Sequence, residues 1–537
     1  MVLVVTLLTL INVPEGAAQP GFNKGDVVTF ADSRDLTAVD FTEREVFFAT
    51  NNGLWRVDRM TGKLLEPEFS GYGLGQTYHF GRISTLLFHW QTATLWLVTA
   101  NGLYVRSLGI DEWKNIYGYG EGITRLGERN DTLFIQAKNR LSAIAVFGYR
   151  DLGDLDDFET DGIRWSTDRS QKKSKVEMPF YHSVDPLLRF EPDQGRLVDW
   201  DLASYKSSFR LIDPDFSKSY IGFPGLGIAI ADDRRGSIEL FQPGPVGRGI
   251  RAIALAENGI IYLGGESDKD GDGLNRFDRK NGVWDRFGRR QRWGLETKRI
   301  YDLAYHDGKL FAATEDGLLI GSPRKEGWGM YGLLEGAPKP PVWLVERVGE
   351  WLFIGGSNGI RMMMIPGGPF FDAKGPGGAD LYAADAVADG DTLWLVGPQG
   401  VFKGGPEMPF ELIGGDAGID ELPTRAIAVT SQTVAVGGSD GLSFFDRRSH
   451  QWREMPSRTH FEEGQITAIV ARNDHFYIGT DQGLYQYNDR TGKLLLFGTD
   501  LGLPDERVEK LLIEEDTLWV GTRAGLSRLN LNAPYWR

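Results

Sequence analysis

The chain has 537 residues, a formal net charge of −15 and no cysteine. The acidic balance opposes recognition of nucleic-acid phosphates, and the missing thiols exclude disulfides, thiolate catalysis, iron–sulfur clusters and zinc–thiolate sites. Hydrophobic residues at 41% with 12% aromatics supply a large core, and 69 glycines point to short strands joined by tight turns.

At the N-terminus, Val2–Val13 forms an apolar run shorter than the about 20 residues a membrane helix needs. Small residues at Gly16 and Ala18 follow it. The pattern predicts a signal peptide over residues 1–18, cut after Ala18, and an extracytoplasmic destination: periplasmic, outer-surface associated or secreted. No later segment is long and apolar enough to predict a transmembrane helix. Next comes a short apolar strand, DVVTF (Asp26–Phe30), ahead of the first complete repeat.

From there the chain repeats itself. VFFATNNGL (Val46–Leu54), LWLVTANGL (Leu95–Leu103) and LFIQAKNRL (Leu133–Leu141) share one pattern. It returns in six copies that start at Leu310, Leu352, Leu393, Val434, Phe476 and Leu518, a period of 41 or 42 residues. Ile261–Leu274 is the same unit with a longer loop, and weaker copies start near Leu188 and Ile228, making twelve. Within Ile466–Phe497 the unit reads as four short strands separated by turns. A lone four-stranded sheet leaves its faces exposed, whereas radial stacking buries them and limits free edges. The predicted class is all-β: a β-propeller of four-stranded antiparallel blades, about twelve repeats, in two rings.

Two features recur with a physical task. A glycine follows the hairpin loop (Gly53, Gly102, Gly317, Gly359, Gly400, Gly441, Gly483, Gly525), where positive φ is expected. An aromatic holds the second position of the second strand (Trp96, Phe134, Tyr262, Phe311, Phe353, Trp394, Tyr477, Trp519), as packing between sheets requires. The last repeat lacks its own fourth strand, so Val27–Phe30 is expected to complete it and latch a ring. Irregular stretches at Arg150–Ser183 and Ile365–Gly378 then suggest a discontinuous seven-bladed propeller, 26–149 plus 379–537, with a degenerate second propeller inserted at 150–378. A sequential split near Pro245 is the competing layout.

Several motifs carry potential chemistry. Asp268, Asp270 and Asp272 fit the start of a calcium loop, alternating carboxylates with a glycine turn, although position 12 is Arg279. The rival reading is a solvated acidic hairpin tip. Arg289, Arg290, Arg292 and Trp293 cluster between two blades, where they could grip a carboxylate or stack on a sugar. The rival reading is a solvated loop balancing nearby acid. G-x-S-x-G occurs at Gly355–Gly359 and Gly437–Gly441, but in strand-to-strand hairpins rather than on a nucleophile elbow. The seven histidines show no metal-ligand spacing. No catalytic residue is nominated.

The segments Thr517–Asn530 and Phe476–Leu511, the latter with Gly502-Leu503-Pro504 before the next strand, resemble the two-component regulator propeller repeat. The resemblance extends over nearly the whole chain, with drifted repeats at 151–245. It implies an extracytoplasmic sensing propeller, here without kinase modules. A looser resemblance is to the propeller component of the type IX secretion system. The expected function is therefore an exported, non-enzymatic propeller that binds a polar ligand, such as a glycan, or an envelope protein. The alternatives are a structural or secretion component of the cell envelope, and a propeller glycan lyase or hydrolase.

Overall fold

The structure is a computed structural model. It describes residues 22–23, 25–73, 76–116, 122–138, 140–155, 160–168, 179–184, 188–198, 203–241, 244–267, 273–287, 297–323, 327–413, 424–439, 441–454 and 464–536. The predicted signal peptide lies outside these residues.

Among the described residues the chain is all-β, with only short 3₁₀ turns besides strands. Twelve sheets of three or more strands among the described residues correspond to the twelve repeats; most have four strands, and all their pairings are antiparallel except that of His182–Ser183 with Ser237–Phe241. The repeated aromatic is buried in every copy; Trp96, Phe311 and Phe353 are fully enclosed. Each packs in a core between neighbouring sheets, as Trp519 does with Ile250, Ile253 and Phe277.

The hairpins carry a local lock. Thr50, Thr314, Thr480 and Thr522 end second strands, and each donates its hydroxyl to the carbonyl of the glycine three residues later. These glycines have positive φ at Gly53, Gly317 and Gly483. Gly525 departs from the expectation, because its φ is not in the left-handed region. It is needed for a different reason: a Cβ there would lie 2.4 Å from Phe30 O. That carbonyl belongs to Val27–Ala31, which pairs antiparallel with Gly525–Asn530 as the fourth strand of the last sheet. Phe30 then packs against Phe277, Trp284 and Trp55.

Seven first strands form a circuit. Arg248–Leu255, Ile300–His306, Val342–Val348, Asp385–Asp389, Thr424–Val429, Ile466–Arg472 and Val508–Glu514 each lie against the next, and the last lies back against the first. A second group precedes it. There Leu36–Phe41 lies against Ile83–His89, which lies against Ile123–Arg129, while Lys218–Phe223 flanks Leu36–Phe41 on its other side. Arg164–Trp165 and Thr167–Asp168 run beside two of these first strands and extend their sheets. The sequential division near residue 245 and the discontinuous one, 26–149 plus 379–537 around 150–378, would group these contacts differently. Both layouts use the same sheets, and they differ in which buried faces meet. The groups share a core that joins Leu36, Trp55 and Tyr220 to Ile253, Phe277 and Trp519.

The two weak repeats differ from expectation. The copy placed at Ile228 is shifted by one strand: Lys218–Phe223 is the second strand, and Gly227–Asp232 the third. The turn through Leu226, not the acidic Asp232-Asp233, joins them. The copy near Leu188 yields only three strands of three residues each.

Candidate functional site

The seven first strands bring charged side chains to the space they enclose. In a strand that packs on both neighbours, most positions must be apolar, as in Leu303, Val345 and Leu511. Asp302, Glu346, Asp385 and Lys510 break that rule. Six of these seven first strands, all but Asp385–Asp389, also carry a local irregularity, as between Ile300 and Asp302 or Val508 and Lys510, which re-aims the side chains that follow.

Three of the four carboxylate and ammonium groups tie one sheet to the next. Asp302 Oδ2 accepts from the Val345 N–H at 3.1 Å. Glu346 Oε1 accepts from Ala388 N–H, and Asp385 Oδ2 from Ile427 N–H, each at 3.1 Å. Their sequence separations of 42–43 match the repeat period, so the same tie is made at successive sheet boundaries. Trp343 Nε1 donates to Ala383 O at 2.7 Å, and Thr467 Oγ1 to Val508 O at 2.6 Å, across two of the boundaries. Lys510 crosses the enclosed space and donates to Asp302 Oδ1 at 2.8 Å.

Three acids facing one ammonium cannot all be stably ionised at low cost. Glu346 is pushed up to about 8 by burial and by the Asp302 charge, against the Ala388 N–H that favours its anion. Asp385 is pushed up to about 6 by burial, with Lys510 opposing. Burial works against the Lys510 charge, but Asp302 and Asp385 outweigh it and raise its pKa. At neutral pH the set is a protonated Glu346 beside an Asp302–Lys510 ion pair. The group of sheets before residue 245 has a counterpart. Asp40 Oδ2 accepts from Phe88 N–H at 2.8 Å, while Arg164 bridges Asp40, Glu128 and the Phe88 carbonyl. Burial raises the Asp40 pKa, with Arg164 opposing.

At one end of the circuit is a band of exposed and half-exposed charge. Arg299 pairs with Glu266 at 3.1 Å and Arg507 with Glu509 at 2.9 Å. Arg251 lies between Glu266 and Glu509. Asp268, Asp270 and Asp272 belong to the hairpin between Ile260–Glu266 and Leu274–Asp278, and Arg289, Arg290, Arg292 and Trp293 to the connection between Val283–Phe287 and Ile300–His306. All seven lie outside the described residues. Their flanks do meet: Ser267 N–H donates to Lys298 O at 2.9 Å, and Lys298 N–H to Glu315 Oε1 at 3.1 Å. The described residues that flank the acidic and basic stretches are thus adjacent.

Both G-x-S-x-G segments are in strand-to-strand hairpins; Ser357 Oγ donates to Pro340 O at 2.9 Å. Among the described residues no group of three or more His, Cys, Asp or Glu is placed to hold a metal ion. No helix among them is long and apolar enough to cross a membrane. The axial acids were missed in the sequence, although a signal was present: a charge inside an otherwise apolar first strand, as in IYDLAYH, VWLVERV and VEKLLIE.

No protein-family model matches the chain. No curated protein matches it either. Among solved structures it is similar to PorZ, a bacterial surface component of the type IX secretion system of Porphyromonas gingivalis, at TM-score 0.51 and 14% identity, over 94% of this chain and 87% of that one. It is also similar to the extracellular domains of two putative hybrid two-component systems of B. thetaiotaomicron. These are BT3049 (TM-score 0.45, 14% identity, 93% and 75% covered) and BT4673 (0.43, 13%, 93% and 76%). The likeness to PorZ extends the propeller-like fold over nearly the whole chain.

Proposed function

We propose that the chain is an exported, non-enzymatic propeller that recognises a polar ligand or an envelope protein at the charged end of the seven-strand circuit. In this reading the seven sheets from Arg248 onward, closed by Val27–Ala31, form one ring, and the sheets between Leu36 and Phe241 form the other. The carrying observation is the use made of the axial acids. Asp302, Glu346 and Asp385 are each engaged with the backbone of the next first strand, which is a task of architecture rather than of proton transfer. Recognition needs convergent polar groups around a concavity, and the hairpin and connecting loops supply them. Arg289, Arg290, Arg292 and Trp293 are the proposed contacts, with the neighbouring Asp268, Asp270 and Asp272 either holding calcium or balancing their charge.

Likeness to a secretion-system surface component supports an envelope role only through the fold. The test is a screen of the mature chain against glycans and against envelope extracts, with a variant carrying alanine at the four basic and aromatic positions. Binding lost in that variant and kept in Glu346→Gln supports the reading. The rival, proton-transfer chemistry on a glycan, draws on a carboxyl with a pKa near neutrality. Lyase or hydrolase turnover abolished by Glu346→Gln or Asp385→Asn would establish that rival instead.

A further inference from the structure

A cleft of about 600 Å³, counted to its open mouth, lies where the closing strand meets the sheets that precede residue 245. This falls in the roughly 300–1,000 Å³ range of small-molecule sites. One wall is Val27–Thr29 with Gly502, and the other comes from the segments around Glu68 and Trp113.

The cleft is built around Glu68. Its Oε1 accepts from Arg56 Nη1 at 2.8 Å and from Arg106 Nη1 at 2.6 Å, and its Oε2 from Trp113 Nε1 at 3.0 Å. Arg106 is 1% exposed, yet its Nε makes no hydrogen bond to protein. Ser70, 8% exposed, also leaves its Oγ without a protein partner. A buried donor left unmade costs about 1–3 kcal/mol, so two of them lining one cleft mark a place for an acceptor. The two oxygens of a carboxylate would satisfy both.

Charge narrows the ligand further. Arg56 and Arg106 face Glu45, Glu68 and Asp111, a surplus of one negative charge, and Glu66 adds another at the mouth. A bare anion is opposed there, so the ligand must bring its own cation. Asp111 and Glu66 are the exposed carboxylates available to it. A sugar would want an open aromatic face, but the Trp113 ring is covered. Gly71 lies against it so closely that a Cβ would be 2.6 Å from Cδ1, and the Arg106 guanidinium stands 4.8 Å from its centroid.

We infer that this cleft binds a free zwitterionic α-amino acid, its carboxylate accepting from Arg106 Nε and Ser70 Oγ and its ammonium facing Asp111 and Glu66. Because the closing strand forms one wall, an occupant bridges both groups of sheets and stabilises the latched state.

The test is thermal melting and calorimetry of the mature chain with L-amino acids added singly at millimolar concentration. At least one should raise the melting temperature, while its amidated and its N-acetylated derivatives should not, since each lacks one charge. Ser70→Ala removes an unpartnered hydroxyl, so the ligand-free melting temperature should stay within about a degree and the affinity should fall about tenfold. Asp111→Asn should weaken binding in the same way. The inference is overturned if no amino acid shifts the melt, if acetate or a monosaccharide shifts it instead, or if Ser70→Ala binds as the parent does.

Discussion

The axial carboxyl Glu346 makes the stability of the protein depend on pH in a defined direction. Its pKa is raised from the ordinary 4.5 to about 8 in the folded chain, chiefly by burial. The folded state therefore holds a proton that the unfolded state releases between those values. Stability from this group is fully present below about pH 4.5 and is lost as pH rises through about 8. Integrating the proton difference, the wild type loses about 2 kcal/mol between pH 6 and pH 8. Glu346→Gln keeps an oxygen to accept from Ala388 N–H but carries no titratable proton. The variant should lack this loss and melt higher than the wild type at pH 8. For a body of this size the difference corresponds to a few degrees, roughly 4 °C. The assay is thermal unfolding followed by tryptophan fluorescence at pH 6, 7 and 8. Parallel decline of wild type and variant across that range would show that Glu346 is already ionised at pH 6, and the account of the axis would fail.

Other outcomes follow from the same contacts. Deleting residues 19–32 removes the fourth strand of the last sheet and the burial of Val28 and Phe30, worth roughly 3–6 kcal/mol from those two side chains. A truncated protein that melts within a couple of degrees of the parent would refute the latch. Lys510→Met leaves Asp302 without its ammonium, and should cost roughly 2–4 kcal/mol at pH 8 and less at pH 5, where protonation relieves the acids; urea unfolding at both pH values checks this. Calcium should bind in the roughly 10⁻⁴–10⁻³ M range and be lost when Asp268, Asp270 and Asp272 are all changed to Asn, as titration calorimetry would show.

Sheet formation was legible in the sequence because it is a short-range event. Four strands pair within one period of 41 or 42 residues, and alternation, a loop glycine and a buried aromatic mark each of them. The strand that completes the last sheet was legible too, since Gly525–Leu531 ends without a partner of its own kind. Legibility failed where the markers had drifted. Tyr220 and Gly227 keep the strand–loop–glycine order, but the apolar run after Gly227 drew the reading one strand too far.

What the tertiary structure alone decided is which sheets stand next to one another. Every repeat offers the same apolar faces, so pattern gives no preference between a sequential and a discontinuous arrangement. In the structure Arg248–Leu255 meets Val508–Glu514, strands more than 250 positions apart. The same closure sets Lys510 against Asp302, 208 positions away, and turns scattered charges in apolar strands into one coupled group. Gly525 makes the point at a single residue. Its repeat position predicts a left-handed turn, but the backbone of the closing strand is what leaves no room for a side chain.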